Sequence, residues 1–180
     1  IKMDPNPRIP TVDEVIPTFP AGNMPGNETF SSIKLDYQSL VIPSNPYVKF
    51  TADKIISASK CPYNKVCFAK AMFYFVRDNF DYVNDPNAFE FIKDPITSLQ
   101  TRIGDCDDSS VLLANLLQAI GIETRFAFIP GHVFIQADLP DAKTKYKTEL
   151  NWVSLDPTCD FCEFGEIPWS SYQKEFSYFP

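Results

Sequence analysis

One histidine, six glycines and no apolar run of membrane-spanning length limit what this 180-residue sequence can be. With a single imidazole, any histidine base has to be His132. Basic residues are also scarce: 16 Lys and Arg stand against 23 Asp and Glu, giving a net charge of -7, and no Lys/Arg cluster occurs. A nucleic-acid surface needs a basic face, so that partner class is excluded. There is no signal-peptide pattern and no internal repeat. Ile1 stands where a starting Met would be, as expected of a trimmed chain, which leaves room for a leader or anchor upstream.

Aromatic residues are plentiful, with sixteen Phe, eight Tyr and two Trp, and they promise a bulky interior. Prolines crowd residues 1–46, at positions 5, 7, 10, 17, 20, 25, 43 and 46. That segment reads as an extended arm over a domain spanning 47–180, or as a linker to something upstream. Ile33, Leu35, Tyr37, Leu40, Val41 and Ile42 suggest a short strand within it, and Asn27-Glu28-Thr29 is a sequon.

Beyond Val48 the pattern turns helical. Helices are expected over 48–58 and 64–79, the second with an apolar stripe of Val66, Ala69, Phe73 and Val76. Asp85-Pro86 and Asp94-Pro95 mark loops. A third helix, from Cys106 to Ile120, is apolar nearly all round, which places it at the centre of the domain, and Gly121 ends it. The period then changes to two, and strands are expected over 122–129, 133–139 and 150–155. Helices followed by a strand meander imply an α+β fold, with an antiparallel sheet on a central helix.

The chemistry concentrates at Gly104-Asp105-Cys106-Asp107-Asp108. Asp105 is a good N-cap and Asp108 sits where a side chain can reach back to it. Cys106 then lies in the first helical turn, whose N–H groups and dipole favour a thiolate and can stabilise an oxyanion. The three neighbouring carboxylates oppose thiolate formation, so a base is needed. A symmetric hairpin centred on Thr144 pairs His132 with Asp156, Phe134 with Ser154 and Gln136 with Trp152. In that register Asp156 orients the imidazole, whereas a slip of one residue turns it to the other face. Each of these residues alone is usually structural. Their joint occurrence on these elements carries the reading.

The runs Gly104 to Asp108, Gly121 to Arg125, Gly131-His132-Val133-Phe134 and Trp152 to Thr158 together resemble the core of the transglutaminase-like superfamily, in its archaeal and bacterial branch. Phe75 to Tyr82 is similar to the helix before the nucleophile in that branch. The resemblance covers about 65–158 and implies a papain-like core, with the nucleophile Cys106 on the central helix and His132 and Asp156 on the sheet. It departs at Phe134, where the family often has Trp, and nothing before Lys65 matches it. A further oxyanion donor is expected upstream, with Gln100 (spaced as in papain-like enzymes) and Tyr82 as candidates. The implied activity is thioester-forming acyl transfer on amide or peptide bonds, with no cofactor. Hydrolysis is preferred, on a protein or cell-wall peptide. The alternatives are an amine-accepting transglutaminase, a non-catalytic binding module, and a domain that processes its own chain.

Four cysteines remain: Cys61, Cys67, Cys159 and Cys162. An even remainder fits two local disulfides and an extracellular or cell-surface setting. The rivals are a zinc site built from all four, and reduced thiols.

Overall fold

In a computed structural model of the chain, residues 4–20, 28–30, 35–85 and 91–180 are described. The helices are α1 (Val12–Val15), α2 (Leu35–Ser39), α3 (Pro46–Ser59), α4 (Lys65–Asn79), α5 (Pro95–Thr101), α6 (Cys106–Gln118) and α7 (Trp169–Tyr172). The strands are β1 (Glu28–Phe30), β2 (Asp81–Tyr82), β3 (Phe91–Lys93), β4 (Ile103–Gly104), β5 (Thr124–Ile129), β6 (His132–Asp138), β7 (Lys147–Glu149), β8 (Trp152–Leu155) and β9 (Ser177–Phe179).

Helix α6 forms the centre, as its all-round apolar sequence requires. Every residue from Asp107 to Leu117 is buried. Its end is closed by hydrogen bonds from Gly121 N to Gln118 O (3.0 Å) and from Ile122 N to Leu117 O (3.1 Å). Gly121 adopts φ 74° there, which glycine accepts without a Cβ penalty. Helices α3 and α4 pack beside α6, each started by an asparagine side chain, Asn45 on Tyr47 N and Asn64 on Cys67 N.

An antiparallel sheet of order β7-β8-β6-β5-β9 lies against α6. Alternation sorts β6 into two faces. Val133, Ile135 and Ala137 join the main core with α6, while Phe134 joins a second cluster with Ala127, Ile129 and Ile167. On that second face Arg125 Nε donates to Gln136 Oε1 (2.8 Å), and Gln136 Nε2 donates to Ser154 Oγ (3.0 Å). The Arg125 guanidinium also meets the Trp152 and Tyr178 rings, 4.2 and 3.8 Å from their centroids. Gln136 is fully buried, so this chain of partners satisfies it where water is absent.

Several expectations need correction. Leu35–Ser39 is a helix, so no strand runs from Leu35 to Ile42; Ile33 and Asn27 of the sequon lie outside the described residues. Tyr37 and Leu40 are both buried, a spacing of three that one helical turn puts on one side and strand alternation would split. The segment between Asp85-Pro86 and Asp94-Pro95 is not all loop: it holds β3, and Asp94 caps α5. The hairpin after β6 is asymmetric, because a 3-10 turn at Thr144–Tyr146 and the edge strand β7 come first. A tight turn at Leu150 (φ 46°) and Asn151 then leads into β8. Ser154 consequently faces Gln136, two places from the symmetric register. Strand β9 had no sequence signal that distinguished it from a tail.

Beyond the first turns of α6, Asn115 is a buried polar residue among apolar ones. Its Oδ1 accepts from Ile42 N (2.7 Å) and its Nδ2 donates to Leu40 O (3.0 Å) and Val111 O (2.9 Å). Further upstream Val15 is buried, and the Asp4 carboxylate receives the buried Lys70 ammonium and the Tyr146 hydroxyl (2.6 Å). Asn115→Ala leaves the Ile42 N–H and Leu40 C=O without those partners. Urea unfolding is expected to show a loss of about 2–6 kcal/mol, at about 1–3 kcal/mol per stranded group. A loss below about 0.5 kcal/mol would mean that water replaces the side chain and that the clamp is dispensable.

Candidate active site

The site is built on the first turn of α6. Asp105 Oδ1 accepts from Asp107 N (3.0 Å) and Asp108 N (3.4 Å), and Asp108 Oδ2 accepts in return from Asp105 N (3.3 Å). This reciprocal cap is the one the spacing implied. It also explains Gly104: a Cβ there would lie 2.6 Å from Asp108 Cβ, so any side chain would push Asp108 out. Asp108 is further held by Lys93, whose N and Nζ donate to its two oxygens at 2.7 and 2.6 Å.

Cys106 follows as the first helical residue, half-buried and unpaired with any other cysteine. Its thiol is pushed up to about 12, first by burial and then by Asp107, with Asp105 and Asp156 adding to it. The backbone N–H of Val133 pulls the other way. That contact sets the sulfur beside the residue that follows His132. Ser110, one turn along the helix, donates to Val133 O (3.3 Å) and ties α6 to β6 at the same point.

His132 Nε2 lies 2.7 Å from Asp156 Oδ2. A carboxylate accepts only, so Nε2 is the donor in this contact. Asp156 is 1% exposed, and its other oxygen accepts from Thr158 N (3.2 Å) and Thr158 Oγ1 (2.8 Å). The pairing therefore survives the two-residue change of register. An even shift preserves the face, and Asp156 lies just past the β8 ladder, where it reaches His132 diagonally.

Of the two candidate oxyanion donors, Tyr82 is brought near Cys106. Strand β2 runs parallel to β4 with Tyr82 opposite Gly104, two residues before Cys106. The Tyr82 hydroxyl is held up by burial and by the charges of Cys106, Asp105, Asp107 and Asp156. Gln100 instead lines a groove with Asp13, Ile16 and Phe19. The side chains that sequence reasoning passed over are Lys93, Ser110 and the Thr158 hydroxyl. Thr158 was visible within the Asp-Pro-Thr turn, whereas Lys93 carried no signal because its partner is fifteen residues away.

The other four cysteines form the disulfides Cys61–Cys67 and Cys159–Cys162, with Cα separations of 5.9 and 5.3 Å. That pairing removes the four-thiolate zinc alternative. Asp105, Cys106 and Asp107 place donor atoms within 4.8 Å of one another. Asp105 is committed to the helix cap and Asp107 meets the thiol at 3.7 Å, so the cluster belongs to the helix start. No described helix is long and apolar enough to cross a membrane.

Burial raises the Asp105 carboxyl from its ordinary 3.8 to about 7, aided by Asp108, Asp107 and Asp85. The folded state thus binds this proton more tightly than the unfolded chain. The stability tied to it is complete below pH 4 and is lost as pH rises through about 7. Asp105→Asn keeps a capping oxygen without the titration. Melting curves should show the variant close to wild type at pH 4 and increasingly more stable toward pH 8. A difference that ignores pH would show that Asp105 keeps its ordinary acidity.

A histidine paired with a buried carboxylate, in an α+β fold whose central helix starts at a free cysteine, invites comparison with known proteins. No curated protein shows significant sequence similarity to the chain. Among solved structures, a provisionally assigned cysteine protease from Cytophaga hutchinsonii is 18% identical with a TM-score of 0.48, over 71% of this chain and 44% of that one. The periplasmic domain of TgpA from Pseudomonas aeruginosa is 23% identical with a TM-score of 0.46, over 72% of this chain and 49% of that one. The same domain bound to ethylmercury gives 0.45 at 23% identity, over 72% and 51%. The chain thus spans about half the length of these structures or less. The sequence profile of the transglutaminase-like superfamily matches residues 49–157, well over half of the chain and all three of Cys106, His132 and Asp156, and the chain belongs to that superfamily.

Proposed function

We propose that the protein is a cysteine-dependent acyl-transfer enzyme acting on amide or peptide bonds, with water as the acceptor. The observation that carries this reading is the buried Asp156 carboxylate, held 2.7 Å from His132 Nε2, beside a helix N-terminus that presents Cys106. Membership of the superfamily supports the same roles.

Cys106 Sγ attacks the carbonyl carbon as His132 Nδ1 removes the thiol proton. A thiol pushed up to about 12 keeps its proton at rest, so deprotonation accompanies attack instead of preceding it. Asp156 holds the imidazole in the Nε2–H tautomer and stabilises the imidazolium. The Cys106 backbone N–H and the Tyr82 hydroxyl receive the developing oxyanion. His132 then protonates the leaving amine, and water, deprotonated by the same imidazole, resolves the thioester to an acid. The alternative acceptor, a primary amine, uses the same residues. In this reading residues 1–46 are an arm laid over a catalytic domain of 47–180. Two disulfides suit an oxidising, extracytoplasmic compartment.

His132→Ala is expected to slow alkylation of Cys106 at pH 7 by about 10- to 100-fold, below the full 10²–10⁴ of general-base catalysis because alkylation needs only the proton removed. Equal rates in wild type and variant would favour a non-catalytic module on the same fold. Incubating amide-bearing peptides with a primary amine and weighing the products separates the acceptors. Free acid supports hydrolysis, whereas amine adducts would make the protein a transglutaminase.

A further inference from the structure

Asp108 is the most deeply buried carboxylate at the start of α6, with 1% of its side chain exposed. It does three jobs. Oδ2 caps Asp105 N, Oδ1 anchors Lys93 N, and the whole group fills the space that Gly104 leaves open. A buried carboxylate needs compensation, and Lys93 Nζ provides it at 2.6 Å from β3, an element with no other part in the triad. The surroundings are strongly negative. Asp105 and Asp107 approach Cys106 from its own helix and Asp156 from the turn after β8, with Tyr82 of β2 and His132 of β6 completing the rim. Asp85 and Asp105 act on Lys93 together with Asp108. Burial works against the ammonium, but these three carboxylates outweigh it and hold its proton above the ordinary lysine value.

We propose that Lys93 is a positioning residue for the nucleophile: by clamping Asp108 through both backbone and side chain, it fixes the first turn of α6 and cancels one negative charge two residues from Cys106. This rests on Cys106 being the nucleophile. Without Lys93, Asp108 remains as one more carboxylate opposing the thiolate. The helix start would also be held only by the reciprocal cap. The two consequences act on the thiol with opposite signs. Uncompensated charge makes deprotonation harder, whereas a loosened turn exposes the sulfur and brings it back toward an ordinary thiol, about 8.5.

The test is the iodoacetamide rate at Cys106 by peptide mapping, between pH 7 and 9, for wild type, Lys93→Met, Lys93→Arg and the double variant Lys93→Met/Asp108→Asn. His132→Ala is run alongside. Lys93→Met is expected to react about tenfold more slowly at each pH, a displacement of about one pH unit. Lys93→Arg should stay within about threefold of wild type because it keeps the charge, and the double variant should recover because neither charge remains. If Lys93→Met does not fold, the double variant still decides: recovery supports the proposal and a tenfold deficit overturns it. An unchanged or faster Lys93→Met also overturns it, because the looser turn alone would then set the rate and the charge on Asp108 would not oppose the thiolate. A wild-type rate in His132→Ala would count against the Cys–His pair while leaving the Lys93 comparison intact on the same thiol.

Discussion

The first turn of α6 brings three carboxylates and a thiol into a corner that excludes most water, and the site depends on how that charge is absorbed. The reciprocal cap takes part of it, because Asp105 and Asp108 each accept backbone N–H groups that a helix start leaves without partners. Lys93 takes more through Asp108. The remainder is carried by the proton that Asp105 retains up to about pH 7 and by the one held on Cys106. A helix N-terminus usually promotes a thiolate. Here burial and acidic neighbours reverse that, which is why the proposed reaction assigns proton removal to His132.

Beside Cys106 the sheet is tied to the helix by hydrogen bonds at Val133. Ser110 bonds to Val133 O, the Val133 N–H is directed at the sulfur, and His132 precedes them on the same strand. Asp156 is braced by Thr158 in the turn that follows β8, and the Cys159–Cys162 disulfide comes immediately after. On the far face, the linked side chains of Arg125, Gln136 and Ser154 hold β5, β6 and β8 together, with Tyr178 fastening β9. The strand carrying His132 is thus fixed from both faces.

The residues ahead of α3 are bound in through polar groups as much as apolar ones. Asn115 takes the backbone of Leu40 and Ile42, and Lys70 takes Asp4. Burial alone works against ionisation of Asp4, yet hydrogen bonds from Lys70, Tyr146 and Lys143 hold its carboxyl well below the ordinary range. A buried lysine on α4 and a carboxylate sixty-six residues earlier thus satisfy each other.

Local chemistry let the sequence determine a good deal by itself. The N-cap at Asp105, the central apolar helix, its glycine stop and the period-two strands all depend on neighbours within a few residues. The sequence also favoured local pairing of the cysteines over its rivals, and it offered Asp156 to His132 in any even register, leaving the register itself open. Tertiary structure decided what depends on distant partners. It turned 35–39 into a helix, inserted β7 and so moved the β6–β8 register by two, and added β9 to the sheet edge. It brought Tyr82 near Cys106 while lining a groove beside Asp13, Ile16 and Phe19 with Gln100, and it set Lys93 against Asp108. The physical reason is that caps and periodicity are energies of adjacent residues, whereas register, edge pairing and charge compensation are set by whichever remote groups packing brings into one dry space.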